Sequence, residues 1–148
     1  MDKKELLQFL NREIPLTQSL GLDIVRIDDK GAFIRAPLGP NHNHMGSAFG
    51  GSLSTMMILS GYIWLYDALL KHNLQAHVIL SKEEAEYLLP VTADIEVLAK
   101  SPSNEEWKKF EESFLRKALG RIVIHSEIVS KTGALAARFT GEFVARKA

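Results

Sequence analysis

The sequence predicts a single α+β domain in which one antiparallel sheet wraps around a long apolar helix. The first observation is the segment 45–66, which contains 22 residues without a formal charge. Its second half, 53–66, is apolar nearly all round, which is typical of a buried helix. The second observation is that segments on both sides alternate apolar and polar residues, as strands do when only one face meets a core. At 148 residues, positions 1–148 are expected to form one domain.

The N-terminal part of the chain predicts a helix followed by a hairpin. Leucines and Phe9 recur at helical intervals within 3–13, and Ile14-Pro15 should end that helix because a residue before proline leaves the helical region. Residues 22–27 and 32–36 read as two strands, with the turn cluster Asp28-Asp29-Lys30-Gly31 between them. These elements precede the central loop and helix.

The segment after the central helix leaves two interpretations open. Residues 76–80 look extended, but Ser81-x-x-Glu84 within 81–89 imitates the start of a helix. The alternative is a strand, in which one face would carry Glu83 together with Ile79, Ser81, Ala85, Tyr87 and Leu89. Glu83 is the one acid on that face and is a candidate general base in the strand interpretation. A helix would simply expose it.

The C-terminal part predicts strand, helix, strand, strand. Val91–Lys100 alternates cleanly, and Ser103–Leu119 is an amphipathic helix with a capping box at Ser103-x-x-Glu106 and an end at Gly120. We expect that helix to lie on the sheet through Trp107, Phe110 and Phe114. Residues 122–128 and 135–143 then alternate as the last two strands around the turn Thr132-Gly133.

Composition excludes several classes of function. Charged residues balance to zero, so there is no electrostatic reason to expect nucleic acid or an anionic membrane as a partner. No cysteine is present, which removes disulfides, thiolate nucleophiles and cysteine-based zinc sites. The polar start Met1–Glu5 does not open a secretory signal, so we expect a cytoplasmic protein. The segment 45–66 could also span a bilayer by length, but its four glycines and its five serine and threonine residues favour a core helix.

The loop 41–51 holds most of the candidate site residues. Gly50 and Gly51 lead into the central helix, where unpaired N–H groups and the helix dipole would favour an oxyanion or a polarised carbonyl. The alternative for both glycines is close packing of the helix on the sheet. Asn41 and Asn43 are candidates for orienting a water or the substrate, although asparagine also caps turns.

The two loop histidines have three interpretations. His42-x-His44 has a spacing that metal ligands use, but no third ligand is evident, so no metal is predicted. A general base or a solvated loop histidine remains open for each. No metal or redox cofactor is expected.

The element order, with Asn43-x-x-Gly46 and Phe49-Gly50-Gly51-Ser52 before the buried helix, resembles the hotdog-fold thioesterases over nearly the whole chain. The stretches 41–53 and 87–92 are similar to one branch, whose thioesterase-like domain is also found fused behind a GNAT acetyltransferase domain. The resemblance implies an acyl-CoA or acyl-carrier-protein substrate and a homodimer, or a dimer of dimers, with sheets joined edge to edge. It also implies that the loop binds substrate, through residues His42, His44, Gly46, Ser47, Phe49, Gly50 and Gly51.

One departure from the family pattern bears on catalysis. Well-understood members carry His-Gly-Gly at the helix start and an acid about two turns later. Here Phe49 stands in the place of that histidine, and no acid follows until Asp67. Two functions therefore remain open: a thioester hydrolase using Asn43, Asn41 or Glu83, and a non-catalytic hotdog module that binds acyl-CoA.

Overall fold

A computed structural model of the chain describes residues 1–148. It has one six-stranded antiparallel sheet, in the order β1-β2-β4-β5-β6-β3, curved around one long helix. The predicted class and element order are confirmed, with two additional short helices, an α-helix at Leu16–Leu20 and a 3-10 helix at Gly39–Asn41. The helices are α1 (Lys3–Glu13), α2 (Leu16–Leu20), α3 (Gly50–Lys71) and α4 (Asn104–Lys117). The strands are β1 (Asp23–Asp28), β2 (Gly31–Ala36), β3 (Ala76–Tyr87), β4 (Ile95–Lys100), β5 (Leu119–Val129) and β6 (Leu135–Lys147).

Helix α3 forms the centre of the core. It is 22 residues long and runs five residues beyond the predicted end at Tyr66. By length and composition it could cross a bilayer, yet 61% of its most apolar window is buried within the chain. It packs against every strand of the sheet. In this fold α3 is therefore a buried core helix.

The ambiguous segment after α3 is a strand. Alternation through β3 is interrupted by a bulge between Leu80 and Lys82, which shifts the pairing with β6 by one residue. Glu83 and Ala85 therefore pair with Gly141 and Phe139 on the helix-facing side. Ile79, which was expected on that same side, lies instead on the outer face and is 61% exposed. The prediction for Ile79 was wrong because a period of two cannot anticipate an extra residue.

Two boundaries differ from the sequence expectation. Only Ile95–Lys100 of the predicted strand Val91–Lys100 joins the sheet, because the carbonyl of Val91 accepts a hydrogen bond from Ala48 N in the central loop instead (2.7 Å). The helix α2, which follows Pro15, was not predicted. It is only five residues long and ends at Gly21, whose φ of 74° is left-handed.

Helix α4 is capped by Ser103 through the predicted capping box. Phe110 and Phe114 are buried, as expected, whereas Trp107 is half-buried against the end of α3 rather than on the sheet. The helix ends at Lys117 with Ala118 as its left-handed C-cap, two residues before the predicted end at Leu119. Gly120 lies within β5, where a side chain would meet the Phe110 ring at 2.7 Å. This glycine serves close packing, not helix termination.

Candidate active site

The central loop is a tight, internally bonded hairpin that ends at the start of α3. Asn43 N donates to Ser47 O at 2.7 Å, and Gly46 adopts a left-handed φ of 78° between them. Phe49 N donates to Asn41 O at 2.7 Å, which closes the hairpin just before the helix. These bonds fix the position at which α3 begins.

Asn43 organises this hairpin from inside. Its Oδ1 accepts hydrogen bonds from the backbone N–H groups of Met45 (2.8 Å) and Ser47 (3.2 Å). Its Nδ2 donates to Ser47 Oγ at 3.0 Å. The side chain is therefore engaged within its own loop, and any influence on substrate would pass through the loop's shape or through Ser47. A catalytic role for Asn43 stays a prediction.

Asn41 has a structural environment. It is buried, and its amide donates to the carbonyls of Leu20 (2.9 Å) and Pro37 (2.8 Å). Both donor hydrogens are thus used to tie the loop to α2 and to the end of β2. Neither of these contacts supports the predicted catalytic role of Asn41.

The N-terminus of α3 is bare. Its cap residue, Phe49, provides no side-chain hydrogen bond, and the first N–H with an acceptor in the chain is Leu53 N, which donates to Phe49 O at 3.1 Å. The N–H groups of Gly50, Gly51 and Ser52 have no protein acceptor. Unpaired donors at the positive end of a helix attract an oxyanion or a polarised carbonyl oxygen.

The ring of Phe49 covers one side of this helix end. A Cβ atom on Gly51 would lie 2.4 Å from Phe49 Cε2, whereas a Cβ atom on Gly50 would meet nothing within 4 Å. The two glycines therefore differ: Gly51 makes room for an aromatic ring, and Gly50 leaves open space. The ring itself remains 57% exposed.

A cleft of about 310 Å³ opens beside the helix start. Among the predicted site residues, Ser47 and Gly50 line it. Its other walls were not predicted as site residues, although the stretch 87–92 was part of the family resemblance. They are Ala48, Leu53, Tyr87, Leu88, Leu89 and Pro90. The cleft thus joins bare N–H donors to an apolar wall formed by the end of β3.

Three further candidates, His42, His44 and Glu83, are not among the residues that line this cleft. His42 and His44 are exposed, and His42 Nδ1 lies 2.9 Å from Asn43 O. Glu83 is exposed on β3, the edge strand of the sheet, four residues before Tyr87. Four residues of strand span about 13 Å, so Glu83 does not reach the cleft of its own chain.

No carboxylate of α3 approaches the cleft. The first acid on the helix, Asp67, is buried near the opposite end and pairs with Lys71 Nζ at 2.7 Å. On α3, Tyr62 and Tyr66 lie between the cleft and Asp67, and their rings stack on each other. Desolvation by burial raises the pKa of both hydroxyls above 10.0, so both stay protonated at neutral pH. Neither tyrosine is a candidate base.

A larger depression, about 600 Å³, lies on the outer face of the sheet. Four of its five Lys, Arg and Glu side chains are paired, Lys100 with Glu127 at 3.1 Å and Arg138 with Glu86 at 2.9 Å, and Glu84 is the fifth. It has no bare donors and little apolar wall, unlike the cleft at the start of α3. We therefore place the candidate site at the smaller cleft.

Comparisons with known proteins agree with this architecture. Residues 3–147 match the family model described as "Putative thioesterase (yiiD_Cterm)". A solved protein of unknown function from Chlorobaculum tepidum is 27% identical, with a TM-score of 0.94 over 99% of this chain and 94% of its own. A "putative thioesterase" from Shewanella oneidensis is 25% identical, with a TM-score of 0.86 over 97% of this chain and 96% of its own.

A more distant structure shares the fold alone. It is a protein from Pseudomonas aeruginosa described as a "probable thioesterase", 18% identical, with a TM-score of 0.82 over 100% of this chain and 97% of its own. No curated protein matches the sequence. The fold of these neighbours is the hotdog arrangement that the sequence resemblance implied.

Proposed function

Because the chain belongs to the family described as "Putative thioesterase (yiiD_Cterm)", whose model matches residues 3–147, we propose that it hydrolyses an acyl thioester at the start of α3. The observation that carries the proposal is the bare helix N-terminus. The N–H groups of Gly50, Gly51 and Ser52 lack acceptors, and the cleft beside them has an apolar wall. The donors suit a carbonyl oxygen, and the wall suits an acyl chain.

The chemistry requires little besides polarisation and an oriented water. The water oxygen attacks the thioester carbonyl carbon, and negative charge develops on the carbonyl oxygen near the helix N-terminus. The C–S bond then breaks, the sulfur leaves as a thiol with a proton from the water, and a carboxylic acid remains. Losing one preorganised donor of this kind typically costs about 10²–10³ in rate.

We place the missing base on a second copy of the chain. β3 is a 12-residue edge strand without a partner on its outer side, and such edges pair readily. Edge-to-edge pairing through β3 would bring the partner's edge, including its Glu83, alongside this cleft. It would also cover the exposed apolar residues next to the edge, Tyr87, Leu88 and Leu89.

The substrate class follows from the same features. An acyl group carried on coenzyme A or on an acyl carrier protein presents a thioester at the end of a long, thin arm. The cleft, about 310 Å³ in volume, is open on one side and can admit such an arm. Nothing in the site requires a metal or redox cofactor for this reaction.

A second function is favoured by one specific observation. The loop offers no free carboxylate, and Asn43, the best-placed polar side chain, is bonded within its own hairpin. A module that binds acyl-CoA without hydrolysing it would need the helix N-terminus and the apolar wall but no base. We keep this as the alternative.

One experiment separates the two functions. Purified protein is incubated with acyl-CoA thioesters of two to sixteen carbons, and released thiol is followed with a thiol-reactive dye. Hydrolysis that exceeds the buffer rate supports the enzyme. Saturable binding by calorimetry without thiol release, for both coenzyme A and carrier-protein thioesters, would establish the binding module instead.

A further inference from the structure

A third cavity lies at the other end of α3, beside Asp67, which is about 24 Å along the helix from Gly51 at 1.5 Å per residue. Its volume is about 240 Å³. Trp64 and Trp107, which are the only two tryptophans of the chain, form part of its wall. Three carboxylates also border it, those of Asp28, Asp29 and Asp67.

Asp67 is the one charged residue among the buried residues of the chain. It lies near the C-terminus of α3, where the helix dipole disfavours a carboxylate and favours a cation. A buried charge needs a partner. The partner present is Lys71 Nζ, at 2.7 Å, on a side chain that is itself 60% exposed. The carboxylate is thus fixed in place, whereas the lysine is free to turn toward solvent.

The indole groups differ in their hydrogen bonding. Trp64 Nε1 donates to Asp28 O at 3.1 Å. Trp107 Nε1 is buried and has no acceptor. The two rings meet edge to face with centroids 6.0 Å apart. Trp107 therefore contributes aromatic surface to the cavity and also carries a buried donor without a partner, which is costly unless something accepts from it.

We propose that this cavity binds a small primary alkylammonium compound, which displaces Lys71 from Asp67. The ammonium of Lys71 already occupies the position beside Asp67, so the chain itself shows which group that carboxylate accepts. A hydroxyl or carbonyl oxygen on the ligand would accept from Trp107 Nε1 after a shift of the indole ring, because that atom is buried in the free protein. A metal ion fits less well, because no three His, Cys, Asp or Glu side chains converge on one point.

The test uses a probe with both groups and a matched neutral analogue. 5-Aminopentan-1-ol carries an ammonium and a hydroxyl, and pentane-1,5-diol replaces the ammonium with a second hydroxyl. Because both tryptophans line the cavity, intrinsic fluorescence reports on it directly, and calorimetry gives the Kd. We expect saturable binding of the amino alcohol and at least tenfold weaker binding of the diol. Equal binding of both compounds would overturn the proposal.

Two variants test whether Lys71 and Asp67 form the binding site. Lys71→Met removes the competing ammonium from an exposed position, and we expect it to tighten the Kd at least about twofold, the size of an i,i+4 ion pair. Asp67→Asn keeps the shape and removes the charge, and we expect it to weaken binding more than about tenfold, since hydrogen bonds to charged groups contribute 1.5–3 kcal/mol.

Circular dichroism checks that both variants fold. Unchanged affinity in a folded Asp67→Asn, or weaker binding in Lys71→Met, would contradict the site. If Asp67→Asn does not fold, the proposal is tested by the Kd of Lys71→Met and by the comparison of the amino alcohol with the diol. The measurement does not involve thioester hydrolysis, so its outcome is independent of the proposed function.

Discussion

The aromatic ring of Phe49 lies against the backbone of Gly51, at a distance that leaves no room for a side chain there. A methyl group on Gly51 would come within 2.4 Å of Phe49 Cε2, while the same group on Gly50 would meet nothing within 4 Å. The ring and the bare N–H groups thus share the first turn of α3. Any displacement of the ring changes the surroundings of the proposed carbonyl site.

This relationship predicts different effects for two glycine substitutions. Gly51→Ala should force the Phe49 ring away and lower kcat/KM for an acyl-CoA thioester by roughly tenfold, equal to about 1.4 kcal/mol of barrier. Gly39→Ala is the matched control, because Gly39 lies outside the cleft and a Cβ atom there also meets nothing within 4 Å, and it should stay within about twofold of the wild type. In a Phe49→Ala background, Gly51→Ala should have almost no further effect, as double-mutant cycles test for contacting pairs. An equally large effect in that background would mean that the ring is not the cause.

Asn43→Ala should slow thioester hydrolysis by at least about tenfold, roughly 1.4 kcal/mol of barrier. The side chain holds the hairpin that places the helix start, through Met45 N and Ser47. Because the loop is on the surface, the unfolding temperature should change little. His42→Ala, at an exposed neighbouring position, is the control and should have a smaller effect. Intact hydrolysis in Asn43→Ala would move the chemistry away from this loop, and Glu83 would be the next residue to test.

Unlike Asn43→Ala, the substitution Asn41→Ala should act mainly on the stability of the fold. Its buried amide satisfies the carbonyls of Leu20 and Pro37, and a buried polar group left without its partner costs about 1–3 kcal/mol. We expect the free energy of unfolding in urea to fall by about that amount. A variant as stable as the wild type, with activity lost, would show that Asn41 acts in catalysis after all.

Asp28 predicts a pH dependence of stability. A hydrogen bond from Arg26, together with backbone N–H groups of Lys30 and Gly31, holds the pKa of Asp28 below its ordinary value of 3.8. The folded state therefore binds the proton more weakly than the unfolded state. The stabilisation is fully present above the unfolded pKa and is lost as the pH falls through the lowered folded value.

The measurement is thermal unfolding from pH 2 to pH 7. Asp28→Asn should unfold at a lower temperature than the wild type at pH 7, and the difference should shrink below about pH 4, near the unfolded pKa of aspartate. A difference that stays constant across this range would assign the effect to packing rather than to the charge.

The unpaired edge of β3 predicts a dimer. Light scattering at micromolar concentration should give twice the chain mass of 16.5 kDa, or four times that mass for a dimer of dimers. Hydrogen exchange gives an independent measurement, because every second amide of an unpaired edge strand faces solvent. If β3 pairs with a second copy, its amides should be protected along the strand. A monomeric mass with rapid exchange in β3 would contradict the prediction.

The buried helix and the alternating strands were readable from the sequence because both depend on local periodicity. An apolar surface all round α3 leaves burial as its stable environment, and alternation in β5 and β6 assigns one face to that core. The bare, glycine-rich helix start was also predictable, since Phe49-Gly50-Gly51 contains no side chain that caps a helix. These properties follow from residues that are neighbours in the chain.

The remaining features depend on residues far apart in the chain, and only the tertiary structure decided them. The bulge in β3 turned Ile79 outward because pairing with β6 required one extra residue there. Asn41 became a structural residue because Leu20 and Pro37 bring their carbonyls to it. Trp64, Asp67 and Trp107 meet at one cavity only because α4 brings the Trp107 ring against Trp64 of α3. Local patterns carry no information about such contacts, since each depends on how two distant segments pack together.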